Sequence, residues 1–244
     1  MSELDIAGVV PLSSVDWPDH LVATVFCQGC PWRCPYCQNA AILDTRTPGI
    51  VPWADVQELL ERRRGLLDGV VFTGGEALRQ AAVESAIADV KALGMQVGLH
   101  TAGAYPRRLA QVLPDVDWVG LDIKSLPEDY REAAGYEGGT KAWESLAMIV
   151  DERRRRVDSA SPFTYEVRTT VFPGSPAERH FEELVARIRE AGVEDFALQE
   201  ARAKGTDPIF QAMATHWDMS AWRMRFEEMA ACARSAGFSH VEVR

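Results

Sequence analysis

Six β-rich segments, each followed by a helical one, divide most of this 244-residue chain into repeating units of strand and helix. Segments 21–26, 69–72, 96–99, 118–121, 165–171 and 196–198 are rich in β-branched and aromatic residues. Helical spacing or composition marks 54–63, 78–93, 107–112, 141–156, 178–191 and 220–236, and a last short strand is expected at 240–243. Alternation of this kind with short connections calls for a parallel sheet wrapped by helices. Six units are too few to close an eight-unit barrel, which leaves an open barrel or a doubly wound sheet.

In either architecture the chemistry collects beyond the carboxyl ends of the strands. The unusual residues of this chain fall there. Four of its five cysteines follow the first predicted strand, Gly74-Gly75-Glu76 closes the second, His100-Thr101 closes the third, and Asp122 and Lys124 stand at the fourth. That coincidence points to a single site.

Cys27, Cys30, Cys34 and Cys37 lie within eleven residues, too close together to staple a chain of this length, so they point to a metal or cluster loop. All four as ligands would make a closed tetrahedral zinc site. Paired Cys-x-x-Cys knuckles usually stand well apart, however, and only three residues separate these two. Cys27 also continues the strand Val25-Phe26, where a cysteine serves as a small buried hydrophobe. The other reading takes Cys30, Cys34 and Cys37, spaced Cys-x3-Cys-x2-Cys, as three ligands of a four-iron cluster, which leaves one iron open to a substrate or cofactor. Pro31 and Pro35 keep the loop out of helical geometry.

The charge balance narrows the setting. With 26 basic and 36 acidic residues the chain carries −10, which argues against a nucleic-acid or anionic-membrane surface. No apolar run approaches the ~20 residues of a membrane helix, and Met1-Ser2-Glu3-Leu4-Asp5 lacks the pattern of a signal peptide. A cytoplasmic protein is expected, in which clustered thiols stay reduced and bind metals.

Cys30-x3-Cys34-x2-Cys37, with the aromatic Tyr36 before the last cysteine and Gly74-Gly75-Glu76 downstream, resembles the signature of radical S-adenosylmethionine enzymes. More narrowly, the chain is similar to the activating proteins of anaerobic ribonucleoside-triphosphate reductase and other glycyl-radical enzymes. The stretches that carry this likeness are Ser14-Val15-Asp16-Trp17-Pro18, Phe26-Cys27-Gln28-Gly29-Cys30, Cys37-Gln38-Asn39, Asp122-Ile123-Lys124 and Arg168-Thr169-Thr170-Val171-Phe172-Pro173. The resemblance reaches to about residue 200.

The resemblance implies an α/β fold, a partial (β/α)6 TIM-type barrel. The whole chain, 1–244, would be one domain, with a core at about 20–200 and a C-terminal extension at about 201–244. It implies a [4Fe-4S] cluster on Cys30, Cys34 and Cys37 and a bound S-adenosylmethionine that is reductively cleaved to a 5′-deoxyadenosyl radical. It implies two partners: a glycyl-radical protein, an anaerobic ribonucleotide reductase above all, and an electron donor such as flavodoxin or ferredoxin. Gly74, Gly75, Glu76, Thr101, Asp122, Lys124 and Arg168 become the expected cofactor-binding residues. All but Thr101 have a plainer role available: a strand-to-helix turn for Gly74-Gly75, a helix N-terminus for Glu76, a rim salt bridge for Asp122 and Lys124, a solvent-facing strand position for Arg168.

The chain departs from the family pattern in three places. His100 stands where relatives carry an Asp that helps hold a cation, Asp19 where a Gly is expected, and Gln38 where a His is common. The runs Arg62-Arg63-Arg64 and Arg153-Arg154-Arg155-Arg156 read as solvated helix ends, and Cys232, Trp217 and Trp222 as packing residues.

Overall fold

The computed structural model describes residues 3–244; Met1 and Ser2, part of the stretch read above for a leader, lie outside the described residues. The elements in chain order are β1 (Ile6–Ser13), β2 (Val22–Cys27), α1 (Trp53–Arg62), β3 (Gly69–Gly74), α2 (Val83–Ala92), β4 (Gln96–Thr101), α3 (Pro106–Val112), β5 (Trp118–Asp122), α4 (Tyr130–Ala134), α5 (Gly139–Arg156), β6 (Thr164–Val171), α6 (Pro176–Arg179), α7 (Phe181–Glu190), β7 (Asp195–Glu200), α8 (Pro208–Ala214), α9 (Met219–Ser235) and β8 (His240–Val243).

All eight strands form one sheet whose order follows the chain, β1 to β8. From β2 onward every neighbour is parallel, and β1 runs antiparallel along one edge. The ends of the sheet do not pair among the described residues, so the barrel is open. The six expected units are β2 to β7, and β8 adds a further parallel strand. β1 was not foreseen. Gly8 and Pro11 interrupt its pattern, and its pairing with β2 shifts register twice, which an edge strand tolerates.

The helix expected over 78–93 begins only at Val83. Glu76 accepts from Leu78 N and closes a single short turn there, and Gln80 is extended. Its side chain bonds Asp5 N at 2.7 Å and the carbonyls of Asp5 at 2.8 Å and Gln28 at 3.1 Å. A backbone turned towards those partners cannot also continue a helix.

Strand alternation gives the sheet two unlike faces. One packs on the helices: Val25, Phe72, Leu99, Leu121, Val167 and Leu198 are fully buried in one core with Leu60, Ile87, Leu109, Leu146 and Leu184. The other faces the barrel interior. Its lower end is filled by Trp17, stacked on Trp118 at 5.6 Å and His20 at 4.3 Å, beside Val22 and Val71. The indole lies over Gly98, where a Cβ would meet its ring at 2.8 Å. Removing such a buried indole costs about 3–5 kcal/mol. Above it the interior turns polar, with Thr73, His100, Asp122 and Arg168.

Residues beyond 200 divide between two packing groups. Trp222, Met229, Ala230 and Ala233 of α9 join the main core, while Phe210 and Ala201 pack with Phe172, Tyr36 and Trp217 in a small separate cluster. The arginine run at the end of α5 is not a solvated face throughout. Arg156 is 12% exposed, and its Nη1 donates to the Val116 carbonyl at 2.8 Å. No described helix is long and apolar enough to cross a membrane.

Candidate metal centre

β2 delivers the chain to the upper rim at Cys27, and the following loop is fixed by its backbone. Gly29 N donates to Ile42 O at 2.8 Å and Cys30 N to Leu43 O at 3.1 Å. The buried Gln28 side chain donates to the carbonyls of Ile42 and Asp44. Trp32 inserts beneath the edge of Tyr130 at 5.4 Å, Arg33 N reaches Ala134 O at 2.8 Å, and Cys37 N closes a turn on Cys34 O at 3.1 Å.

The four thiols of this loop are unequal. Cys27 alternates with Val25, so it points to the helix-packed face, where it is fully buried in the main core. Cys30, Cys34 and Cys37 are half-buried, and all are free thiols. Burial pushes the Cys27 and Cys30 thiols up to about 12, with Glu76 adding to both, and raises Cys34 despite the opposing charge of Lys124. Thiols held this way become thiolates only for a partner that brings positive charge. Among the described residues no three or more His, Cys, Asp or Glu side chains converge as ligands of a single ion. A four-iron cube spreads its thiolates further apart than one ion does, and a loop carrying three accessible cysteines suits it.

The Gly74-Gly75-Glu76 turn is packed directly against the cysteine loop. Gly75 N donates to Cys27 O and Glu76 N to Gly29 O, both at 2.9 Å, and Asn39 Nδ2 donates to Gly74 O at 2.8 Å. A Cβ on Gly74 would lie 2.5 Å from Cys27 N, and one on Gly75 2.3 Å from Gly29 O. The glycines therefore first serve loop-to-loop contact. The Glu76 carboxylate, 1% exposed, accepts from Thr101 Oγ1 at 2.9 Å, Ala102 N at 3.0 Å and Leu78 N at 3.2 Å. Burial raises its pKa, and those hydrogen bonds work against the rise. Glu76 and Thr101 thus form one buried unit that ties β3 to β4.

Asp122, Lys124 and Arg168 do come together. Adjacent strands place Asp122 opposite Arg168, and Arg168 Nε donates to Asp122 Oδ1 at 2.8 Å. Lys124 Nζ approaches Asp122 Oδ2 at 3.6 Å and sits 5.5 Å from the centre of the Tyr36 ring. Burial opposes charge on Asp122, yet Arg168 and Lys124 outweigh it and hold the carboxyl at about 2. Two cations on one anion leave this part of the interior net positive, suited to a carboxylate ligand.

His100 has no carboxylate role here. Its Nε2 donates to the Asp16 carbonyl at 2.7 Å, which leaves Nδ1 to accept from Thr73 Oγ1 at 3.2 Å. Burial and the Arg168 charge depress its pKa to about 3, so the ring is neutral. It straps β4 to the segment that carries Trp17.

Sequence reasoning overlooked two sets of residues. Asn39 stands two residues after Cys37, and no local pattern marks its amide as the clasp on Gly74. Glu166 and Arg244, paired at 2.6 Å, extend the polar interior wall. Their signal was available, since a buried parallel strand should read as an apolar run, and Glu166 and Arg168 interrupt β6.

The family model described as the Radical SAM superfamily matches residues 24–174, and the chain belongs to that family. Its sequence relatives include a protein provisionally named as a glycyl-radical enzyme activating enzyme in Methanocaldococcus jannaschii, 26% identical over 82% of this chain and 80% of the relative. They also include the pyruvate formate-lyase-activating enzyme of Clostridium pasteurianum, 30% identical over 59% of this chain and 65% of that protein. Among solved structures, Streptococcus suis SuiB bound to S-adenosylmethionine superposes with a TM-score of 0.62 at 12% identity. That match covers 89% of this chain and 48% of SuiB, so the chain spans about half the length of that structure. The likeness establishes the partial-barrel fold. The superfamily uses a [4Fe-4S] cluster with S-adenosylmethionine, and the donor set described above fits both.

Proposed function

We propose that this chain is a radical S-adenosylmethionine enzyme that installs a glycyl radical on a partner protein, an anaerobic ribonucleoside-triphosphate reductase. The observation that carries the reading is the inequality of the four loop thiols, in a chain 26% identical over 82% of its length to a protein provisionally named as an activating enzyme. Cys30, Cys34 and Cys37 are accessible to a cluster, while Cys27 is spent on the core. When bound, the cluster and S-adenosylmethionine supply one-electron cleavage and a 5′-deoxyadenosyl radical, the electron coming from a donor such as flavodoxin or ferredoxin.

The chain's own residues orient and shield. Arg168 and Lys124 offer positive charge to the methionyl carboxylate, and Asp122 fixes the direction of both. The turn of Gly74 and Gly75 would offer its backbone to the cofactor's amino end, and the buried Glu76, bonded to Thr101, would hold that turn in place. Trp17 and Trp118 keep water out from below.

The test is to mix the anaerobically reduced enzyme, S-adenosylmethionine and a candidate reductase, and to record the EPR spectrum. A glycyl-radical doublet on the reductase is expected. Cofactor cleavage without any doublet would shift the reading to a radical enzyme acting on a small molecule or peptide. Protein with zinc and no iron would reduce it to a binding scaffold.

A further inference from the structure

Arg33 lies inside the cysteine loop, between Trp32 and Cys34, and folds its guanidinium back over the loop. Its Nη1 donates to the Cys30 carbonyl at 2.8 Å and to the Trp32 carbonyl at 2.9 Å. The backbone beneath it is fixed by Arg33 N on Ala134 O at 2.8 Å, and its Cβ packs 3.1 Å from the position a Cβ would take on Gly135. The cation is thus tied to the main chain of one expected cluster ligand from the outer side.

Nearby carboxylates are engaged elsewhere. Asp44 pairs with Arg46 at 3.4 Å, and Glu137 is bonded by Arg131 Nε at 3.0 Å. Arg33 thus has no ion-pair partner among the described residues, although Asp44 feels its charge from further off. From the inner side a second cation, Lys124, lies beside Tyr36. It acts on Cys30 and Cys34 directly, and it stays in place in any variant of Arg33.

The potential of an iron–sulfur cluster depends on nearby charge, hydrogen bonding and solvent exposure. A fixed positive charge stabilises the form carrying the extra electron and so raises the potential. Because Arg33 is exposed, solvent screens part of the effect.

We propose that Arg33 is a positioning residue that raises the reduction potential of the cluster held by Cys30, Cys34 and Cys37, easing entry of the electron. The proposal rests on the cluster reading above. It concerns what this side chain does to the cluster and leaves the partner protein open.

The test is an EPR-monitored redox titration of cluster-loaded enzyme without S-adenosylmethionine, in wild type, Arg33→Gln and Arg33→Lys, with Arg62→Gln on the distant α1 as control. Iron and sulfide are counted in each sample. Gln removes the charge and is too short to keep both carbonyl bonds, whereas Lys keeps the charge without the fork, so the Lys variant separates charge from loop closure. The midpoint is expected to move to more negative potential in Arg33→Gln, to lie between in Arg33→Lys, and to stay at the wild-type value in Arg62→Gln. An Arg33→Gln midpoint equal to wild type at full iron content overturns the proposal, as does an Arg33→Lys midpoint displaced as far as Arg33→Gln. If Arg33→Gln takes up no iron while Arg33→Lys loads with a wild-type midpoint, Arg33 only closes the loop and the proposal fails. Wild-type protein that binds no iron at all would instead sink the cluster reading.

Discussion

A Cβ on Gly75 would stand 2.3 Å from the carbonyl oxygen of Gly29, closer than any real side chain approaches. The turn after β3 and the cysteine loop after β2 are therefore built as one unit. Backbone bonds from Gly75 N to Cys27 O and from Glu76 N to Gly29 O join them, and Asn39 clasps Gly74 from the far side. The position of Cys30 depends on this contact, because Gly29 precedes it directly.

Replacing Gly75 by Ala must push these two backbones apart. We expect Gly75→Ala to cost about 1–3 kcal/mol of stability, as overpacking does, and to lower iron per chain at least twofold after anaerobic reconstitution. Iron analysis and thermal unfolding of the same preparation check this. Full iron loading with an unchanged melting temperature would show that the loops have slack.

His100 gives the fold a pH dependence whose sign can be stated. Its folded pKa is depressed to about 3, below the usual value of about 6.5. Its contribution is therefore complete above about pH 6.5 and is lost progressively as pH falls towards 3. The unfolded chain binds the proton first, so stability falls by at most about 1.4 kcal/mol per pH unit in that window. The difference in unfolding free energy between wild type and His100→Gln should shrink on going from pH 7.5 to pH 5. A difference that stays constant would mean that His100 ionises in the folded protein as it does in water.

Asp19 is the sole non-glycine residue with positive φ among those described, at 62°. The family pattern expects glycine here, and the left-handed backbone supplies the reason. Asp tolerates that region better than most residues yet still pays for its Cβ. Asp19→Gly should stabilise the protein by up to about 1 kcal/mol, the gain reduced by the extra freedom glycine has when unfolded. Denaturant unfolding measures it, and a loss of more than 1 kcal/mol would mean that the Asp19 side chain makes a contact of its own.

Much of this architecture could be read from local pattern, and the limits have physical causes. The parallel strands announced themselves as short apolar runs between helices, and the cysteine spacing separated Cys27 from the rest because Cys27 continues a strand. β1 stayed hidden because Gly8 and Pro11 break its period, and its partner in β2 is what makes it a strand. Asp122 was paired in the sequence with Lys124, two residues on. The closer partner is Arg168, 46 residues away, at 2.8 Å. That pairing is set by the register of β5 on β6, which no local spacing reveals. Arg156 reads as solvated from sequence, since its run of four arginines gives no hint that the turn before β5 offers it the carbonyl of Val116. Gly74 and Gly75 were assigned to cofactor approach, while the first demand on them is the cysteine loop itself.

The central claim is that three thiolates hold a four-iron cluster and leave one iron open. Iron and sulfide content, together with reductive cleavage of S-adenosylmethionine, should be measured in the four single Cys→Ala variants of the loop after anaerobic reconstitution. Cys30→Ala, Cys34→Ala and Cys37→Ala should lose the intact cluster and all cleavage, while Cys27→Ala keeps about four irons and most of the cleavage. One zinc per chain, lost equally from all four variants, would contradict the account.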